Sequence, residues 1–204
     1  FLALAPRTGQ HVAIFVRESL RPLKFETDSS NFHHALAILT VAVPGLRRPL
    51  TLLAAHLSPT GCDARRREAN YLAVRADPST VSLLAGDFNS VSPRDPEPRG
   101  FTSLAPHHRA RYVGDDLETA DRSVIARLEA AGWIDIGHRC GEATITTVPT
   151  AGYPATEFAE MRCDYIMATA SLADHATAYK VVRTPTADRA SDHYPVLARF
   201  ELPQ

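Results

Sequence analysis

Three apolar runs of strand length frame what this chain can fold into: His11 to Arg17, "HVAIFVR", His34 to Val43, "HALAILTVAV", and Leu50 to Leu57, "LTLLAAHL". They are rich in Val, Ile and Leu and are punctuated by Pro, Gly and Arg, so they read as strands. Cys62 to Ala76 then sets Ala64, Glu68, Tyr71, Leu72 and Arg75 at helical spacing, with Asp63 as a cap or first-turn acid. Thr80 to Gly86, "TVSLLAG", returns to a short buried strand. The proline and charge of "SPRDPEPRG", Ser92 to Gly100, forbid regular structure and mark a surface loop. Thr119 to Gly132 is an amphipathic helix with Val124, Ile125, Leu128 and Ala131 inward and Gly132 as its stop. Cys163 to Ala168, Ala178 to Arg183 and the residues after Pro195 are further strands. Helices between strands, with several hairpin-length connections, predict an α/β layered domain with mixed or antiparallel sheets. Functional polar groups are then expected at strand ends.

The 204 residues, 45% hydrophobic and 22% charged, suffice for one globular domain with a sizeable core. A formal net charge of -1, from 22 basic and 23 acidic residues, excludes a global electrostatic footprint for duplex DNA. Cys62, Cys140 and Cys163 are odd in number and widely spaced, which fits neither a disulfide framework nor a zinc pattern. No apolar run approaches the ~20 residues needed to span a bilayer. "FLALAP" is too short and lacks the basic flank of a secretory signal, which favours a cytoplasmic location. The chain starts at Phe1 rather than Met, as a processed form or a fragment does.

Four polar features lie at or within the strands. His56 ends the run "LTLLAAHLSP". In "AGDFNS", strand alternation points Asp87 and Asn89 the same way and Phe88 into the core. Asp164 lies in the otherwise apolar run "RCDYIMA", where a carboxylate costs several kcal/mol unless it is paired. "SDHYPV", Ser191 to Val196, offers His193 as that partner, since an Asp–His pair raises imidazole basicity and fixes its tautomer. Pro195 holds Tyr194 extended before the last strand.

Taken together and in this order, "AAHLSP", "LLAGDFNS", "RCDYIMA" and "SDHYPVLARF" resemble the endonuclease/exonuclease/phosphatase superfamily. These are the deoxyribonuclease I-like, metal-dependent phosphoesterases. The resemblance implies a four-layer α/β/β/α sandwich of two mixed sheets with the site at one open end. By the same resemblance, His56 contacts phosphate, and Asp87 and Asn89 orient the attacking water and hold the transition state. Asp192 is implied as a metal ligand, and His193 with Asp164 as the catalytic dyad. Ser191 would support the turn through its hydroxyl. The implied cofactor is Mg²⁺, with Mn²⁺ as its substitute, since carboxylates and an amide are the hard oxygen ligands these ions prefer.

The pattern departs from the family at its start. The upstream strand ending in Asn, and the second strand ending in the Glu that is the principal metal ligand, have no counterpart here. "HVAIFVRESLRP" matches the strand that follows them, and Glu18 lies past it. The chain is therefore read as one domain, residues 1 to 204, whose N-terminal strand-helix-strand is missing. "ARRRE", Arg65 to Glu68, reads as a solvated helix face, and His33-His34 and His107-His108 as surface or loop residues. The loop from Ser92 to Asp116, with Arg94, Arg99, Arg109 and Arg111, is a candidate lid over the substrate.

The expected activity is Mg²⁺-dependent hydrolysis of a phosphate ester on a small substrate. A nuclease of the same fold is the alternative; a non-hydrolytic binding domain that lost its metal carboxylate is a third reading. The near-neutral charge and few aromatics weigh against nucleic acid, whose binding gains from clustered Arg and Lys.

Overall fold

A computed structural model describes residues 1–141, 146–153 and 157–202. In chain order its elements are β1 (Leu2–Ala3), β2 (Val12–Ala13), β3 (Arg21–Asp28), β4 (Leu36–Ala42), β5 (Leu50–Ala55), α1 (Cys62–Ala73) and β6 (Val81–Asp87). A single 3-10 turn at Phe101–Ser103 precedes α2 (Pro106–Arg109), α3 (Ser123–Ala131), β7 (Ile134–Asp135) and α4 (Ile136–Cys140). The chain closes with β8 (Asp164–Ala168), α5 (Ala170–Ala173), β9 (Ala176–Val181), α6 (Pro185–Ala190) and β10 (Val196–Phe200).

The central layer is a six-stranded mixed sheet in the order β3-β4-β5-β6-β8-β7. Its inner strands are covered on both faces, largely in β4 and β8 and in part in β5 and β6, so alternate side chains of one apolar run serve two different cores. Leu36 and Ile38 of β4, Leu53 and Ala55 of β5, Leu84 of β6 and Tyr165 and Met167 of β8 pack under Leu72 of α1 and Val124, Ile125 and Leu128 of α3. Trp133 seals this layer, and its indole N–H donates to the Leu72 carbonyl at 2.9 Å, tying α3 to α1. Gly132, at φ +112°, ends α3 in the left-handed conformation that a glycine stop supplies.

On the opposite face Ala37, Leu39 and Val41 meet Ala3 and Ile14, beside the antiparallel pair β1-β2. Ile166 and Ala168 meet Tyr179 and Val181 of the antiparallel pair β9-β10. The second sheet layer thus consists of two separate antiparallel pairs.

Two local expectations fail. The run His11 to Arg17 is a strand only at Val12–Ala13, because β1 offers just Leu2 and Ala3 to pair with, and Phe15 is 91% exposed. Conversely, "RPLKFETD" forms β3, which its polarity hid. It is an edge strand, largely solvent-exposed, with Lys24 and Glu26 paired at 3.0 Å. Its Pro22 sits at a register shift, as the missing N–H requires.

The topology brings the polar strand ends to one place. Strands β5 and β6 run parallel, so both finish at the same edge of the sheet, while β8 runs antiparallel to β6 and starts where β6 stops. Gly86 makes the approach of β5 and β6 close: it sits at φ +148°, and a Cβ there would lie 1.8 Å from the Ala55 carbonyl oxygen.

Candidate active site

Asp87 and Asp164 are directly opposite each other at the β6/β8 pair, one ending its strand and the other beginning its own. Two like charges in register repel unless cations intervene. His193 intervenes: its Nδ1 lies 2.9 Å from Asp164 Oδ2, and its Nε2 lies 3.9 Å from Asp87 Oδ2. His56, one residue past the end of β5, brings Nε2 to 3.3 Å from the same Asp87 oxygen.

Asn89 completes the cluster by an unusual backbone. At φ +48° it occupies the left-handed region, which Asn tolerates better than most residues. Its main-chain N–H donates to Asp87 Oδ1 at 2.8 Å, and its amide donates to the Leu57 carbonyl at 3.0 Å and to Asp87 Oδ2 at 3.2 Å. Phe88 turns the other way, fully buried and stacked on Tyr165 with ring centroids 5.4 Å apart.

The segment "SDHYPV" is fixed on every side. The Ser191 hydroxyl accepts the His193 N–H at 3.1 Å and donates to Asp192 Oδ1 at 3.3 Å. Tyr194 donates its main-chain N–H to the Thr147 carbonyl and its phenol to Asp188. The Thr147 hydroxyl in turn accepts the Cys163 and Asp164 N–H groups, so one threonine registers the imidazole segment against β8.

The electrostatics follow from burial and from the excess of acid. Burial, then the facing Asp164 carboxylate, pushes Asp87 up to about 7, against the pull of His193 and the Asn89 N–H. Burial alone would lower His193, but its hydrogen bond to Asp164 and the charges of Asp164, Asp87 and Asp192 raise it to about 9. His56 is lowered, first by burial and then by the charge of His193. Near neutral pH the site therefore holds one imidazolium, His193, beside one neutral imidazole, His56.

These groups line a cleft of about 410 Å³, together with Gln10, Pro59, Arg111, Glu157, Phe158 and Asp192. All six positions singled out in the sequence, His56, Asp87, Asn89, Asp164, Asp192 and His193, face it. Gln10, Pro59, Glu157 and Phe158 were not anticipated, because nothing in their local sequence ties them to the strand ends. Of the four loop arginines only Arg111 reaches the cleft; Arg94 pairs with Glu129 and Arg99 with Glu160. A second cavity of about 580 Å³ shares no residue with this cleft, and Asp95 and Arg162 in its wall are ion-paired to each other.

Two expectations about polar residues are corrected. His34 is not a surface residue: it is 2% exposed, its Nδ1 meets the Thr8 hydroxyl at 2.8 Å, and its ring packs on His56 with centroids 4.2 Å apart. "ARRRE" is not a wholly solvated face either. Arg65 and Glu68 are buried, Arg65 donating to the Ser58 and Arg111 carbonyls and Glu68 accepting the His33 and Ser58 N–H groups. Backbone polar groups of two loops converge on α1 at those positions, and only charged side chains of that reach satisfy them.

The donor set fits a hard divalent cation. Asp87 and Asp164 offer carboxylate oxygens in the same cluster as His193, within 4.8 Å of one another, and Asp192 and Glu157 add carboxylates to the same cleft against one guanidinium among the described residues. Burial first, and then the facing Asp164 carboxylate, raise Asp87, and a cation beside the pair would offset both. Glu18 is exposed and does not line the cleft.

No protein-family model and no curated protein matches the chain. Solved structures do. An AP endonuclease from Archaeoglobus fulgidus superposes with a TM-score of 0.55 at 18% identity, over 80% of this chain and 65% of that one. A mannosyl-6-phosphatase of Bacteroides thetaiotaomicron gives 0.66 at 15% identity, over 98% and 76%. An endonuclease/exonuclease/phosphatase family protein from the same organism gives 0.64 at 15% identity, over 96% and 72%. The chain thus spans about two thirds to three quarters of the length of these proteins.

Proposed function

We propose, from the endonuclease/exonuclease/phosphatase fold that this chain has and from the ion pair at the end of its sheet, that it hydrolyses a phosphate ester of a small molecule. The observation that carries the reading is the 2.9 Å contact of His193 with Asp164, in one cleft with Asp87, Asn89 and His56. A phosphate ester resists attack because its oxygens are already negative, so the site must offset that charge and place a water in line.

Asp164 stabilises the His193 imidazolium and orients its ring, so that Nε2–H faces the oxygen on which charge develops. Asp87, titrating near neutrality, takes the proton of the attacking water as the new P–O bond forms, and the ester P–O bond breaks with the leaving oxygen taking the Nε2 proton of His193 to depart as an alcohol. Asn89 holds the Asp87 carboxylate through two donors at the floor of the cleft. Neutral His56 contacts the phosphoryl group. Asp192 would hold the divalent cation, Mg²⁺ or Mn²⁺, whose charge when bound offsets the phosphoryl oxygens.

His193→Ala and Asp87→Ala should each lower turnover of p-nitrophenyl phosphate with Mg²⁺ by about 10²–10⁴-fold, the usual contribution of a proton-transfer group. The circular dichroism spectrum should stay unchanged. Either variant keeping more than about a tenth of the activity contradicts the reading.

A further inference from the structure

Arg111 is the only guanidinium or ammonium among the described residues that line the cleft, and its position is over-determined. Its Nε donates to the Pro59 carbonyl at 3.2 Å and its Nη1 to Glu157 at 2.6 Å. The Arg111 carbonyl accepts from buried Arg65 at 2.8 Å, which fixes the backbone beneath the side chain. The guanidinium carbon lies 5.2 Å from the Tyr112 ring centroid and 6.0 Å from that of Phe158. Among the described residues no acceptor takes its Nη2.

The ring of Phe158 contacts both cations of the cleft, meeting His193 edge-on with centroids 5.5 Å apart and lying 6.0 Å from the Arg111 guanidinium carbon. The cleft therefore carries two cations that share one aromatic neighbour. Arg111 is held by Glu157, whose side chain is 43% exposed. A guanidinium binds carboxylate and phosphate with the same fork of donors, so an incoming phosphoryl group can replace Glu157 on it.

Building on the phosphoesterase reading, we infer that Arg111 is the substrate clamp of this site and that Glu157 is its displaceable counter-ion. The geometry fits a phosphate monoester. A monoester carries a second negative charge on an unesterified oxygen, and Arg111 is the group placed to take that charge while His193 faces the reacting bond. A diester lacks the second charge and gains little from the clamp.

The test combines calorimetric titration with inorganic phosphate in the presence of Mg²⁺ and kinetics on p-nitrophenyl phosphate and bis(p-nitrophenyl) phosphate. Losing a charge-assisted hydrogen bond predicts that Arg111→Met weakens phosphate binding and lowers kcat/KM for the monoester by about 10- to 100-fold. Its kcat/KM for the diester should change by less than about 3-fold, and Arg111→Lys should fall between Arg111→Met and the parent. Glu157→Gln should act in the opposite sense and tighten phosphate binding, which a merely structural ion pair does not do. Unchanged phosphate binding in Arg111→Met, equal losses on both esters, weakened binding in Glu157→Gln, or no phosphate binding by the parent each overturns the inference. If the parent hydrolyses esters and Arg111→Met is indifferent, the clamp fails and the hydrolytic reading stands. If the variants shift phosphate binding as expected but the parent hydrolyses neither ester, the clamp stands and the hydrolytic reading falls.

Discussion

Burial, with the charges of His56 and His33, holds His34 down to about 4, so it is neutral in the folded protein through most of the acid range. The unfolded chain binds that proton near pH 6.5. Above 6.5 both states are neutral at this position and it contributes no pH dependence. As pH falls from 6.5 towards 4 the unfolded state gains a proton that the folded state refuses, so stability declines by up to about 1.4 kcal/mol per pH unit. Asp87, raised in the folded state, acts in the opposite sense over the same range, so the parent curve alone does not isolate His34. The difference between parent and His34→Phe does: the variant should gain relative stability as the pH is lowered from 6.5 to 4 in urea titrations. A constant difference across that window would contradict the burial argument. The sequence showed "HH" with no acid nearby and gave no sign that one of the two rings is buried under His56. Alternation along β6 made Asp87 and Asn89 readable, whereas His34 precedes β4 and its neighbours, Thr8 and His56, come from distant segments.

Elements were read most reliably where burial on both faces wrote an apolar run, as in β4, β5, β6 and β8. They were missed where one edge is open to solvent, as in β3, and read too long where the pairing partner is short, as at β2. A close approach between two strands is carried by Gly86, whose positive φ lets β6 approach the Ala55 carbonyl of β5. Gly86→Ala places a methyl group inside that carbonyl and should destabilise the fold by roughly 2–5 kcal/mol, the sum of backbone strain and overpacking. Chemical denaturation reads this directly, and a change under 1 kcal/mol would mean that β5 and β6 separate freely. The loss should extend to activity, because the same two strands carry His56 and Asp87 to the cleft.

At the scale of the whole molecule, the proposed small-ester reading draws on the near-zero net charge and on a cleft with one guanidinium among the described residues. Raising salt from 50 to 200 mM should change kcat/KM for a small ester by less than about 3-fold. A protein making 6–10 backbone phosphate contacts loses about 10³–10⁵ in affinity over that range. Chelation of divalent ions should abolish turnover, and Mg²⁺ should restore it; full activity in the presence of chelator would remove the metal from the reading.

The sequence by itself determined the layered α/β architecture and four separate polar stretches, because apolar periodicity and the cost of a carboxylate in a strand are local facts. It also paired Asp164 with His193, since a buried charge demands a partner and few were on offer. Only the tertiary structure decided which further groups share the cleft. Parallel β5 and β6 and antiparallel β8 bring three strand ends to one edge, and loops far apart in the chain deliver Arg111, Glu157 and Phe158 opposite them. It also turned Arg65, Glu68 and His34 inward, because their partners are backbone and side-chain groups that no local pattern records. Convergence of that kind is a property of chain crossings rather than of spacing.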